Sequence, residues 1–284
     1  VPQDVLDALR TSRAWINYNP GPPFDFLGGQ HPVTEAQLER ELELLYQDGF
    51  RGLVTNTVAF GVERAPQIAK SVGFDHVVAK MWWQDDDLLA REQANLDAVV
   101  GAVDAVCVGN EIVQKGVADV DRLIQEVNAA RERYGKPTTT GFQPPDWQYH
   151  PEFATSIGDF SFINLHGWWV LHRNDPITAA AWVVEAYQIV ATTPGMPRDR
   201  LVVVQEQSFP SGALPAESAP GATPANQRRF YEALSTSGVP FVWFLNVDSP
   251  LHRKVSPPGG FGGFWDENWN PKPVVELLRA ALSD

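Results

Sequence analysis

One pattern limits what this chain can fold into more than any other: a short apolar run followed by a helix-length segment, eight times from end to end. The strand candidates are RAWINY (13–18), RGLVTNTV (51–58), HVVAKMWW (76–83), AVCVGNE (105–111), PTTTGF (137–142), SFINLHGWW (161–169), LVVVQEQ (201–207) and FVWFLNV (241–247). The segments between them carry helix punctuation. TEAQLERELELLYQDG opens with Thr34 and Gln37 at capping-box spacing, carries Leu38, Leu42 and Leu45 on one face and stops at Gly49. ADVDRLIQEVNAARERYG repeats the plan, with Val120, Leu123, Ile124 and Val127 on a stripe and Gly135 at its end. Thr223 followed by Pro224 starts a seventh helix, since proline is tolerated at the first helical position. PKPVVELLRAALSD is expected to close the chain.

Strands this apolar, alternating with helices, predict a parallel sheet covered on its outer face. Eight units in a chain of 284 residues suit a closed barrel better than an open doubly wound sheet, which would call for a G-x-G-x-x-G turn that is absent. The reading is therefore α/β, a single (β/α)8 TIM barrel over residues 1–284. No interdomain linker interrupts it. The Pro/Gly/Ala-rich segment 208–224 falls between a strand and its helix and reads as a long βα loop over the catalytic face.

A formal net charge of −13, without any cluster of Lys and Arg, argues against nucleic acid and against an anionic membrane surface. Membrane insertion is not expected, because no apolar stretch approaches the roughly 20 residues that span a bilayer. The lone Cys107 excludes an intramolecular disulfide and a thiolate cluster. The chain starts at Val1 without a basic-then-apolar leader, so a targeting peptide is expected to be either removed or never present. No cofactor and no metal are expected, and a monomer is.

In a barrel, residues at the carboxyl ends of the strands converge on the mouth. Glu111 ends the fourth strand in VCVGNEI, and Glu206 lies near the end of the seventh in VVVQEQS. Period two groups Glu206 with Val202 and Val204, and Glu111 with Ala105, Cys107 and Gly109. Asn110 points the other way in a regular strand, so its arrival in the site requires a bulge or bend. Two carboxyls at a mouth rich in aromatic residues suit cleavage of a glycosidic bond: one protonates the leaving oxygen while the other attacks the anomeric carbon or activates water. For that division of labour, one carboxyl should be ionised while the other keeps its proton.

VGNEI, QEQSFPSG and GGFWDENWNPKP together resemble glycoside hydrolase family 17, the β-1,3-glucanase and β-1,3-glucanosyltransferase group; INYNPG and the run from PTTTGF to INLHGWW extend the resemblance along most of the chain. The resemblance implies Glu111 as acid/base, expected to keep its proton, Asn110 as a contact to the 2-hydroxyl, Glu206 as nucleophile of a retaining reaction, expected to be ionised, and a β-glucan substrate. It also makes Tyr18, late in the first strand, a cleft candidate. The chain departs from the family where Ser208, Phe209 and Pro210 replace the usual Gly-Trp-Pro, and where His166 to Trp169 replace a late strand-six Tyr. Such a divergent member is expected to be secreted or in the cell envelope.

Further candidates come from position. Trp82, Trp83, Trp147, Trp168, Trp169 and Trp243 lie near strand ends, where an indole can stack on a sugar face, with Trp83, Trp147, Trp168 and Trp243 favoured. In the pairs Trp82-Trp83 and Trp168-Trp169, a regular strand sends neighbours to opposite faces, so at most one of each should line a cleft. His166 could reach the nucleophile or a sugar hydroxyl, and Asp248, closing the eighth strand, a sugar hydroxyl, although Arg253 and Lys254 offer it ion pairs. Asp85, Asp86 and Asp87 read as a helix cap, Trp182 as helix packing and Cys107 as core. Two other functions stay open: a non-catalytic polysaccharide-binding barrel, and a metal-dependent barrel hydrolase or isomerase, against which the lack of H-x-H and H-E-x-x-H counts.

Overall fold

The computed structural model describes residues 4–11, 14–24, 33–169, 174–255 and 258–281. Arg13 of the first strand candidate and 282–284 of the last helix candidate lie outside them. Eight parallel strands pair in chain order and close on themselves: β1 (Trp15–Tyr18), β2 (Gly52–Thr55), β3 (His76–Met81), β4 (Ala105–Asn110), β5 (Thr138–Phe142), β6 (Ser161–Ile163), β7 (Val202–Gln207) and β8 (Phe241–Trp243). The helices are α1 (Asp4–Thr11), α2 (Glu35–Gln47), α3 (Ala65–Val72), α4 (Asp86–Val99), α5 (Val120–Tyr134) and α6 (Pro144–Tyr149). They continue as α7 (Glu152–Thr155), α8 (Pro176–Ala191), α9 (Pro224–Ser235), α10 (Pro250–Val255) and α11 (Val275–Ala281). The chain is a (β/α)8 barrel.

Local chemistry sets the helix ends. The Thr34 hydroxyl accepts from the Gln37 N–H at α2, and the Asp85, Asp119 and Thr223 side chains do the same for α4, α5 and α9. Gly135 ends α5 in the left-handed conformation that only glycine adopts freely. Among the described residues, no helix is long and apolar enough to cross a membrane.

The core has two layers, and each strand's parity assigns its side chains to one of them. Trp15, Val54, Val78, Ala105, Cys107, Phe162, Val203 and Val242 fill the barrel, with Val5, Leu6 and Leu9 of α1 joining that cluster. Ile16, Tyr18, Leu53, Val77, Val106, Val202 and Val204 belong to the larger cluster shared with the helices. Cys107 is fully buried, and burial pushes its thiol up to about 12, so it is packing.

Five strands end earlier than their apolar runs do: β2 stops at Thr55, β3 at Met81, β4 at Asn110, β6 at Ile163 and β8 at Trp243. The aromatic pairs beyond β3 and β6 therefore lie past the strand ends, where strand alternation no longer applies.

Candidate active site

At the mouth, β4 and β7 both break alternation. Ala105 and Cys107 point inward, then the β4–β5 register shifts between Cys107 and Asn110. Gly109 has φ +66° and Glu111 has φ +60°, a left-handed backbone rarely seen for a non-glycine residue. The bend lets Asn110 and Glu111 both face the pocket, as the sequence required if Asn110 were to reach it. On β7 the face that carries Val202 and Val204 belongs to the helix layer, so strict alternation would have sent Glu206 out of the barrel. A register shift between Val204 and Gln207 turns it inward beside Gln205.

The two carboxyls are joined by one hydrogen-bonded chain of side-chain amides. Asn110 Nδ2 donates to Glu206 Oε1 at 3.2 Å. Asn110 Oδ1 accepts from Asn164 Nδ2 at 3.1 Å and from Gln205 Nε2 at 2.7 Å. Asn164 Nδ2 also donates to Glu111 Oε1 at 2.6 Å, and its Oδ1 accepts from Gln205 Nε2 at 2.7 Å. Gly141 makes room for this crossing, since a Cβ there would lie 2.2 Å from Asn110 Oδ1 and 2.4 Å from Gln205 Nε2.

Each carboxyl has its own lysine. Lys80 continues the inward face of Val78 on β3, is fully buried, and places Nζ 2.9 Å from Glu206 Oε1 and 3.0 Å from Asn56 Oδ1. Lys115, on the loop after β4, lies 2.9 Å from Glu111 Oε2 with its side chain 43% exposed. Gln143, which leads into α6, donates from Nε2 to Glu111 Oε1 at 2.5 Å. Burial alone would raise the Glu111 carboxyl, but the Lys115 charge and the bonds from Gln143, Asn164 and Lys115 outweigh it and leave the group below its ordinary range. This direction runs against the expectation that Glu111 keeps its proton, and the largest lowering influence is the Lys115 charge.

His166 is the fourth expected residue brought to the site, after Glu111, Glu206 and Asn110. It follows β6, and the adjoining backbone is fixed by Gln207, whose Nε2 donates to the Leu165 carbonyl and whose Oε1 accepts from the Gly167 N–H. Burial lowers its imidazole, while Glu206 and Glu111 pull the other way. Phe244 lies edge-on between His166 and His252, with ring centroids 6.0 and 5.4 Å away.

Other expected residues are elsewhere. Tyr18 faces the helices, is fully buried and donates its hydroxyl to Glu41 of α2 at 2.8 Å, because Trp15 and Asn17 hold the inward parity of β1. Trp243 is fully buried against Phe264, Tyr231 and Phe230, with Nε1 donating to Gly262, so Phe244 is the aromatic at the end of β8. Trp83 is buried in the outer core, whereas Trp82 is half-buried with Lys115 Nζ 5.4 Å above its ring. Trp168 is buried edge-on to Phe209, since the chain after β6 forms a turn at Gly167–Trp169. Asp248 is buried 2.5 Å from Lys272 Nζ, a partner other than Arg253 or Lys254; burial raises its carboxyl against the Lys272 charge. Trp147 is half-buried on α6 against the outer core.

Lys80, Asn164, Gln205, Gln143, Lys115 and Phe244 are the side chains sequence reasoning missed, and of the pair Trp82-Trp83 it favoured the buried member. Lys80 did leave a signal: a lysine on the inward parity of an apolar strand must find a buried anion. Lys115 left one too, at i+4 from Glu111.

The model of the BtgE/BtgC glycoside hydrolase domain matches residues 16–266. The chain belongs to this glycoside hydrolase family. No curated protein sequence matches it. In structure this glycoside hydrolase domain is similar to the family 17 β-1,3-glucanosyltransferase of Rhizomucor miehei, at 18% identity and a TM-score of 0.71 over 91% of this chain and 95% of that one. An active-site mutant of the Rhizomucor enzyme is seen in complex with laminaritriose. The domain is also similar to GH5_18 from Bifidobacterium longum subsp. longum, at 16% identity and 0.68 over 95% of this chain and 78% of that one. A third likeness is to a β-glucuronidase of Faecalibacterium prausnitzii, at 13% and 0.67 over 95% and 48%. At such identities the likeness is one of fold.

Proposed function

We propose that this domain is a retaining glycoside hydrolase or transglycosylase acting on β-glucan, most directly β-1,3-linked chains, in a secreted or cell-envelope setting. The observation that carries the reading is the amide chain joining Glu206 to Glu111 at the C-terminal mouth of the barrel. Two carboxyls of unlike environment linked through shared amides support double displacement, in which one acid attacks and the other moves the proton.

In that reaction a Glu206 oxygen attacks the anomeric carbon and the bond to the leaving oxygen breaks, with Glu111 giving that oxygen its proton. The product is a glycosyl ester on Glu206. Water or a sugar hydroxyl then attacks the same carbon, Glu111 takes the proton, and the ester bond breaks to restore Glu206. Lys80 and Asn110 fix the Glu206 oxygen before attack, so orientation is set in advance. The β-1,3 preference rests on the motif resemblance and on the Rhizomucor neighbour. Mass spectrometry of products from β-1,3-, β-1,4- and mixed-linkage oligosaccharides tests it, with Glu206→Gln as control. Products longer than the donor mean transfer, while absence of turnover from all three would refute the proposal.

A further inference from the structure

Glu111 presents its two oxygens unequally. Oε1 already accepts from Gln143 at 2.5 Å and from Asn164 at 2.6 Å, both amide donors. A proton to be passed to a leaving group must therefore sit on Oε2. That oxygen is covered by the Lys115 ammonium at 2.9 Å, and an ammonium can only donate there. Lys115 also donates to the Asn110 carbonyl at 3.3 Å and lies over the Trp82 ring. One exposed side chain thus occupies both the proton's place and the face of a half-buried indole beside it.

Resting on the function proposed above, we infer that Lys115 is a releasable latch on the acid: a neutral sugar seated on the leaving-group side displaces the ammonium from Oε2 and from the Trp82 face. The displaced lysine moves into solvent, from which its side chain is already 43% exposed. Glu111 then takes a proton from solvent onto Oε2, and the indole face is free to stack on the apolar face of the sugar. Lys115 is a positioning residue in this scheme, acting through Glu111. Other titratable groups facing Glu111 are Asp146 on α6 and His166 after β6, with Glu206 and its partner Lys80 across the mouth. None of these touches Oε2 in a way that would block its proton.

The test is the pH dependence of kcat/KM on a laminari-oligosaccharide, whose sugar leaving group needs a proton. The alkaline limb of that profile reports loss of the acid's proton in the free enzyme. Removing the cation with Lys115→Met should move this limb to higher pH. At a pH well above the wild-type limb, kcat/KM relative to its plateau should rise about tenfold. Lys115→Arg restores a cation and should restore the wild-type limb, whereas a purely structural role would leave the limb in place in both variants. A folded Lys115→Met enzyme with an unmoved limb overturns the latch. Absence of turnover by the wild type overturns the glycosidase reading and the latch with it.

Discussion

Glu206 and Glu111 are each paired with a lysine at 2.9 Å, yet the two pairs are built differently. Lys80 rises from inside the barrel on a strand and is fully buried, so its ammonium is locked to Glu206 and Asn56. Lys115 comes from the loop after β4, four residues from its acid, with nearly half its side chain in water. A buried pair is fixed because separating it strands a charge in a low dielectric, while an exposed pair exchanges cheaply with water. In the proposed reaction Glu206, the attacking group, is held by the fixed kind, and Glu111, the group that changes protonation state, by the exchangeable kind.

The largest effect expected from breaking this contrast is at Lys80. Lys80→Met leaves Glu206 buried without its cation and should cost about 3–5 kcal/mol of stability, read from chemical denaturation. A loss below about 1 kcal/mol would mean that the two lysines are alike.

Glu92 of α4 sharpens the comparison as a buried carboxyl that, among the described residues, has no cation partner. It accepts instead from the Thr57 hydroxyl and, at 2.7 Å, from the Val58 N–H, and burial raises it to about 8. A raised carboxyl contributes stability fully present below its unfolded pKa and lost as pH rises through its folded one, here between about 4.5 and 8. Glu92→Gln should therefore gain on wild type by about 4 kcal/mol between pH 4 and pH 8. Melting curves at the two pH values check this.

The smallest effect belongs to Lys115. Because the folded-state pKa of Glu111 is depressed, its pairing stabilises above the unfolded pKa, and that contribution is lost as pH falls through the lower folded value. Lys115→Met should cost about 1 kcal/mol or less at neutral pH, a deficit that disappears in acid. A deficit as large as that of Lys80→Met would show that Lys115 is no latch.

Much of the fold was legible because several helices carry their own caps and each strand its own apolar run. Thr34, Asp85, Asp119, Gly135 and Thr223 stop or start helices by local chemistry that sequence displays directly. Glu111 and Glu206 were legible as strand-end acids. The parity of the site residues was not. The face shared by Val202 and Val204 looks outward, and only the register shift before Gln207 brings Glu206 in, a backbone event with no residue signature of its own. Tyr18 and Trp243 were misplaced for a related reason: a strand-end aromatic is as good a filler of the helix layer as of a cleft, and which it becomes depends on its parity. Premature ends of β3 and β8 then moved the mouth positions to Trp82 and Phe244, each one residue from the neighbour that sequence favoured.

The central claim is that Glu206 attacks carbon while Glu111 moves protons. A 2-deoxy-2-fluoro β-glucosyl donor with a good leaving group slows both steps and lets a glycosyl ester accumulate, which peptide mass spectrometry can locate. A single ester on Glu206 is expected in the wild type and none in Glu206→Gln. An ester on Glu111 or another side chain, or inverted product with no ester at all, would contradict it.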